Sequence, residues 1–291
     1  MAENAIYYDA SMCTACKACQ INCKQWNRLP APLEQIEWTG SYEAPAKNCG
    51  DTWVRVRFNE VDRPGDKVGW AFGRDACQHC TDAACVNACP TGACHHTTTG
   101  SVAIDETKCI GCAFCVAACP YEVPHIRERD GKSHKCWMCE DRVANGLMPA
   151  CVSTCPTHAL RFGERSAMLE MAKNRAAEIK PIRPDVEVYG ETEMGGLHVV
   201  QVLPYGKVAH GMPQRMPETT FNWIERILRP LSILGVLGMG GIALMSYIGG
   251  RGFKQSEALA EMYPEDYKAS SSSVVADLVG DEVTTMGGGG A

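Results

Sequence analysis

Cysteine spacing is the first chemistry this chain offers. Sixteen of its 18 cysteines fall into four sets, and Cys49 and Cys94 stand outside them. Cys13, Cys16, Cys19 and Cys23 are spaced C-x2-C-x2-C-x3-C. Cys77, Cys80, Cys85 and Cys89 are spaced C-x2-C-x4-C-x3-C and precede Pro90. Cys109, Cys112, Cys115 and Cys119 repeat the first spacing and precede Pro120. Cys136, Cys139, Cys151 and Cys155 read C-x2-C-x11-C-x3-C and precede Pro156. The repeated unit is a ligand set. Thiolate is a soft donor suited to iron–sulfur clusters. A cubane has four irons, each with one open position, so four thiolates complete it.

In C-x2-C-x2-C, three cysteines wrap one cluster; the fourth, three residues on, turns away and in two-cluster ferredoxins ligates the neighbouring cluster. Proline after it fixes the backbone there. Gly111, Ala113, Ala117 and Ala118 are small, leaving room for backbone near inorganic sulfide. Read alone, Cys136 to Pro156 has the pair-and-pair form of a structural zinc site. Zinc sites rarely use C-x2-C-x2-C, and disulfides across so few residues would be strained. Sixteen cysteines in four sets therefore imply four [4Fe–4S] clusters.

Other candidate ligands are weaker. Cys49 and Cys94 read as buried free thiols. Histidines 79, 95, 96, 125, 134, 158, 198 and 210 are expected to pack around the clusters or at the surface, since the thiolates already account for the iron. Lys17, Lys108 and Lys135 adjoin ligating cysteines; they either raise cluster potentials and steer a partner, or are ordinary solvated charges. There is no H-E-x-x-H, P-loop or nucleophile constellation, so the chain has no catalytic site of its own and reads as an electron conduit. A net charge of −6 argues against nucleic acid as a partner.

The elements that position these sets are short. Residues 52–58 alternate as a strand, and "GSVAID" leads as a strand into the third set. Residues 24–76 form an insertion with its own turns, a candidate docking surface. Residues 162–180 form an amphipathic helix, and "GGLHVVQVLPYGK" a further strand. Pro230 to Gly250 holds 21 residues without a charge, about 30 Å as a helix, which is the thickness of a bilayer core. Arg226 and Arg229 flank one end, Arg251 and Lys254 the other. The segment has no His, Asp, Glu or Lys, so it reads as an anchor without haem ligands or a proton relay. The tail after it is polar and low in complexity. The first residues lack the basic and apolar regions of a secretory signal.

The four sets in this order, with "KCIGCAFCVAACPYEVPHI" and "KCWMCEDRVANGLMPACVSTCPTHALRFG", resemble the four-cluster iron–sulfur subunits of molybdopterin oxidoreductase complexes. "LPYGKVAHGMP" followed by one membrane helix resembles the beta subunit of membrane-bound respiratory formate dehydrogenase. The resemblance implies an α+β fold of two ferredoxin-like modules with two clusters each, plus one C-terminal transmembrane helix. The divisions are 1–24 with 130–165 for the first module, 25–76 for the insertion and 77–129 for the second module. Residues 166–225 make an extension, 226–252 the anchor and 253–291 the tail.

The resemblance further implies exchanged ligand sets. Cys13, Cys16, Cys19 and Cys155 would hold one cluster, and Cys136, Cys139, Cys151 and Cys23 its neighbour. Cys77, Cys80, Cys85 and Cys119 would hold the third, and Cys109, Cys112, Cys115 and Cys89 the fourth. Some relatives put tryptophan in place of a cysteine and bind a three-iron cluster; here Trp137 lies between two retained cysteines, so four cubanes are expected. The implied role is to relay electrons between a Mo- or W-pterin catalytic subunit and a membrane cytochrome b or other quinone-reactive subunit. A hydrogenase or a DMSO- or polysulfide-reductase-type complex is the alternative, and a zinc-binding interaction module a remote one. The implied location is the cytoplasmic membrane, spanned once, with the cluster domain outside and exported by a twin-arginine signal on the catalytic chain. Balanced basic flanks on the anchor leave the orientation open.

Overall fold

The computed structural model describes residues 3–31, 40–63 and 67–213, and within the C-terminal segment residues 235, 238–242 and 244–247. Met1–Ile224 and Glu225–Ala291 form separate units. In the first, a four-stranded sheet carries the strands β8 (Leu160–Glu164), β1 (Asn4–Asp9), β10 (Val199–Leu203) and β9 (Glu187–Tyr189), in that order. β1 runs parallel to β10 and antiparallel to β8. Its residues are almost all buried, so both faces of the sheet are covered.

The period of two sorts those faces. Ala5 and Tyr7 of β1, with Val200 and Val202 of β10, pack against helix α6 (Arg165–Ile179) through Met168, Ala172 and Ile179. These helical positions recur at intervals of four and seven, which puts them on one face. Ile6 and Tyr8, with Val199 and Leu203, face the other way. There they meet Met138, Cys151 and Val152, with Cys13, Cys19, Cys80 and Cys155 packed alongside. One side of the sheet therefore rests on a helix, and the other is a floor for cysteine loops. The segment read as an extension supplies both α6 and the central strand β10.

The remaining elements are small. α1 (Ala18–Trp26) follows the first cysteines. β2 (Arg55–Arg63) and β3 (Lys67–Asp75) make a long antiparallel hairpin inside the insertion. The strand expected at 52–58 starts later, at Arg55. Thr52 is bridged instead to Cys49, and Trp53 Nε1 donates to Gly50 O at 2.8 Å, so the chain there is a tight turn. Asp75 takes Arg55 at 2.5 Å and Arg57 at 3.0 Å, and Arg55 also pairs with Glu43. Helix α2 (Ala84–Asn87) and strands β4 (Cys94–His96) and β5 (Val102–Ile104) follow. Next come α3 (Phe114–Ala118), the hairpin β6 (His125–Arg127) and β7 (Lys132–His134), α4 (Glu140–Ala144) and α5 (Ala150–Ser153). α7 (Gly206–Ala209) closes against the long hairpin, where His210 Nδ1 donates to Phe72 O at 2.8 Å.

The anchor read at 226–252 lies mostly outside the described residues. Those that are described are helical, with Met239, Ile242, Leu244 and Met245 exposed. Among the described residues, no helix is long and apolar enough to cross a membrane.

Gly111 shows how closely a hairpin tip packs on a cysteine loop. It has φ +71°, and a Cβ there would stand 2.1 Å from the Gly131 carbonyl oxygen. The room for backbone that its small size was expected to leave is taken by the carbonyl of the β6–β7 turn. Gly146 shares the backbone conformation, at φ +73°, but faces open space. Gly111→Ala should therefore destabilise the protein by about 1–3 kcal/mol more than Gly146→Ala, as overpacking does. Thermal melts of both variants check this; equal losses would assign the whole cost to the shared backbone angle.

Candidate metal centres

The first C-x2-C of each set folds the same way. The residue just before its second cysteine is left-handed: Ala15 (φ 51°), His79 (φ 49°), Gly111 (φ 71°) and Met138 (φ 62°). In the two C-x2-C-x2-C loops the next residue is left-handed as well, Lys17 at 61° and Ala113 at 62°. Successive turns of this kind point backbone N–H groups inward and favour anions. Three of the Cys-Pro stretches also share a left-handed residue three places after the cysteine: Gly92, Glu122 and His158. Backbone N–H groups reach the sulfurs directly. Ala15 N lies 3.4 Å from Cys13 Sγ, Cys94 N 3.4 Å from Cys89 Sγ and Ser133 N 3.4 Å from Cys109 Sγ.

The thiols gather across long stretches of sequence. Cys13 is pushed up in pKa by burial, with Cys155 and Cys16 as neighbouring thiolates; Tyr8 and the Ala15 N–H oppose the shift. Cys19 is pushed up to about 12 by burial, then by Cys151, Cys13 and Cys155. Cys23, at the end of α1, is raised well above the usual thiol range by burial and by Cys136, Cys151 and Cys139. Cys139 is pushed up to about 12 by burial, with Cys136 and Cys151 adding to it. Cys80 is raised by burial and by Cys77, Cys119 and Cys85, and Cys119 reaches about 12 by burial, with Cys85 and Cys77 beside it.

In the last set, Cys115 Sγ donates to Ser133 Oγ at 3.2 Å, and the Ser133 N–H serves Cys109. Cys89 packs in the same apolar cluster as Cys115. Cys16 and Cys112 are exposed.

Cys94 is buried, as expected, and is more than filler. It packs against both Cys85 and Cys115, and its neutral thiol beside them lowers the pKa of each while its own rises. Cys49 is half-buried in the turn bridged to Thr52. His79 is buried between two cysteines and accepts from Val102 N at 3.0 Å, tying its loop to β5. His198 Nδ1 donates to His79 O at 2.7 Å, and His134 lies between Asp130 and Glu106. Of the three lysines beside cysteines, Lys17 reaches Tyr42 O and lies over the Phe58 ring, and Lys108 pairs with Asp105 at the surface. Lys135 differs: it is buried, with Nζ 3.6 Å from Cys77 Sγ and 3.1 Å from Cys136 O.

One charged residue escaped the sequence reading. Arg74, in β3, is only 2% exposed, and its Nη2 lies 3.9 Å from Cys151 Sγ. The available signal was strand alternation: Asp75 turns to Arg55 and Arg57, so its neighbour Arg74 must turn to the opposite face.

These observations fit an iron–sulfur group. Desolvated thiols that lie close together raise one another's pKa because their anions repel. They ionise together only around a cationic centre, and Fe–S iron supplies one for soft sulfur donors. Inward backbone N–H groups and two buried cations suit a cofactor that is anionic overall.

Comparison with known proteins agrees with the site. Residues 68–165 match the 4Fe–4S dicluster domain. The chain is 36% identical over 254 residues to the iron–sulfur subunit of the nitrate-inducible formate dehydrogenase of Escherichia coli, covering 85% of each chain. It is 36% identical over 249 residues to the formate dehydrogenase iron–sulfur subunit of Haemophilus influenzae, covering 83% of this chain and 78% of that one. A thiosulfate reductase electron transfer subunit of Salmonella typhi is 38% identical over 162 residues, 55% of this chain and 76% of the relative. Thiol loops suited to iron–sulfur chemistry, and relatives that align over most of both lengths, place the chain in the family of formate dehydrogenase iron–sulfur subunits, and it carries [4Fe–4S] clusters.

Proposed function

We propose that the chain relays electrons through four [4Fe–4S] clusters, from a Mo- or W-pterin formate dehydrogenase catalytic subunit to a membrane cytochrome b or similar quinone-reactive partner. It is a redox subunit rather than the catalytic one. Oxidation of formate to carbon dioxide releases a proton and two electrons at the partner. A bound cubane takes up and gives back one electron at a time. Everything else is done by this chain: fixing the ligands, excluding water and keeping successive ligand sets in contact.

The observation that carries the reading is this contact. Cys19 of the first proposed set (Cys13, Cys16, Cys19, Cys155) neighbours Cys151 of the second (Cys136, Cys139, Cys151, Cys23). Cys136 neighbours Cys77 of the third (Cys77, Cys80, Cys85, Cys119). Cys94 joins Cys85 to Cys115 of the fourth (Cys109, Cys112, Cys115, Cys89). In this reading the sets form a file, which is supported by the exposure of Cys16 and Cys112 in the two end sets. A relay needs this layout: access at the ends and a dry interior between them. In this reading residues 1–24 with 130–165, and 77–129, are two ferredoxin-like modules. The 226–252 segment anchors the chain in the cytoplasmic membrane by a single helix, with the cluster domain on the outer face.

The thiosulfate-reductase relative supports a second reading, in which the same relay serves a reductase of sulfur compounds. The formate reading is favoured because its relatives align over 254 residues rather than 162. Purification of the native complex discriminates. The expected outcome is about sixteen irons per chain, four per cubane, with a pterin subunit that reduces viologen dye when formate is supplied. Far less iron sinks the four-cluster relay; thiosulfate-linked turnover without formate-linked turnover favours the second reading.

Ligand exchange has its own test. Cys155→Ser should remove or alter the cluster of Cys13, Cys16 and Cys19, on the order of four irons, and spare the one at Cys136. Cys23→Ser should do the reverse. Low-temperature EPR of the reduced complex, with iron analysis, reads both. Loss confined to the Cys136 cluster in Cys155→Ser rules out the exchange.

A further inference from the structure

Arg74 is among the largest fully buried side chains, and its charge has no carboxylate partner among the described ion pairs. Its Nε and Nη1 have no hydrogen-bond partner among the described residues, and only Nη2 finds a sulfur, Cys151 Sγ at 3.9 Å. A buried guanidinium cannot escape by losing its proton, and one left unpaired is costly. Something anionic must therefore face those N–H groups.

The thiols that act on it are Cys151, Cys136 and Cys19, in that order. Two of these belong to the proposed second ligand set and one to the first. Arg74 also lines the cavity bounded by Tyr8, Cys13, Cys16, Cys19 and Cys155. It thus stands at the border of two sets, and Lys135 holds the next border, against Cys77. The hairpin fixes it there: Val56 pairs with Arg74 in register, and Asp75 on the opposite face is held by two arginines.

We propose that Arg74 is a positioning residue shared by the first two clusters, which donates its free N–H groups to cluster sulfur on both sides and raises both reduction potentials. A fixed cation favours the more negative, reduced form of each neighbour, so an electron is stabilised on either side of this border. No proton moves and no bond is made; one electron passes from cluster to cluster. This rests on the ligand sets proposed above.

The test uses the native complex with Arg74→Gln and Arg74→Lys, followed by EPR-monitored redox titration. Arg74→Gln should lower the reduction equilibrium constant of both the Cys13 and the Cys136 clusters by about tenfold, about 59 mV for one electron. The Cys109 cluster should not move, and Arg74→Lys should restore most of the loss. Unchanged potentials at full iron content overturn the proposal, as does a shift at one cluster alone or an equal shift at all four. If Arg74→Gln fails to retain iron, wild-type complex grown with guanidino-15N arginine decides. Pulsed EPR should show 15N coupling at the first two reduced clusters, absent from Arg74→Lys; no coupling in the wild type overturns the proposal. Iron content and formate-dependent dye reduction of the wild type report separately on the relay itself.

Discussion

Repulsion among buried thiolates is the constraint on which the rest of this structure depends. Cys23, Cys80, Cys119 and Cys139 are each raised by burial and again by two or three neighbouring thiols. Without a cation among them, such a set stays protonated and contributes little beyond small apolar side chains. With iron bound, the same crowding becomes ligation, and metal binding is coupled to the final fold. The sheet floor and the β2–β3 hairpin bring distant cysteines together. They do not by themselves supply the charge that those cysteines need.

The floor explains why the C-terminal part of the first unit matters to the site. β10 lies beside β1 in the middle of the sheet, and its buried Gln201 donates to Gln78 Oε1 at 2.9 Å, between Cys77 and Cys80. Leu197 bridges to Cys80 itself. A segment with no cysteine thus fixes the backbone of a cysteine loop. On the opposite face α6 needs only to cover Ala5, Tyr7, Val200 and Val202, which an ordinary amphipathic helix does.

Much of the site was legible because ligand chemistry is local. C-x2-C spacing and the following proline dictate a loop, and the loops do share their left-handed positions. α6 was legible from periodicity, although residues 162–164 of the expected helix belong to β8, and β10 was legible as a short apolar run, buried on both faces. What sequence could not give was assembly. Nothing in residues 162–203 says that β10 runs parallel to β1 rather than forming a peripheral layer. Gly111 was read as leaving room for backbone, but the sequence could not say that the backbone is that of Gly131. Lys17, Lys108 and Lys135 look alike beside their cysteines, yet only Lys135 is buried, because only it lies beneath β5. Arg74 sits in a strand read only as part of an insertion, and its importance appears when the hairpin sets it against Cys151.

The buried cations follow from the same constraint as the thiols. A file of anionic centres in a dry interior repels any electron added to it, and the repulsion is strongest where two centres adjoin. In the proposed file Arg74 lies at the first such border and Lys135 at the second. At the third proposed border stands the neutral thiol of Cys94, buried against Cys85 and Cys115. The second proposed set, which lies between the two full charges, is buried throughout, whereas the first and fourth sets carry the exposed Cys16 and Cys112. Fixed charge placed where water is excluded, on both sides of the most buried ligand set, is what the electrostatics of an insulated relay require.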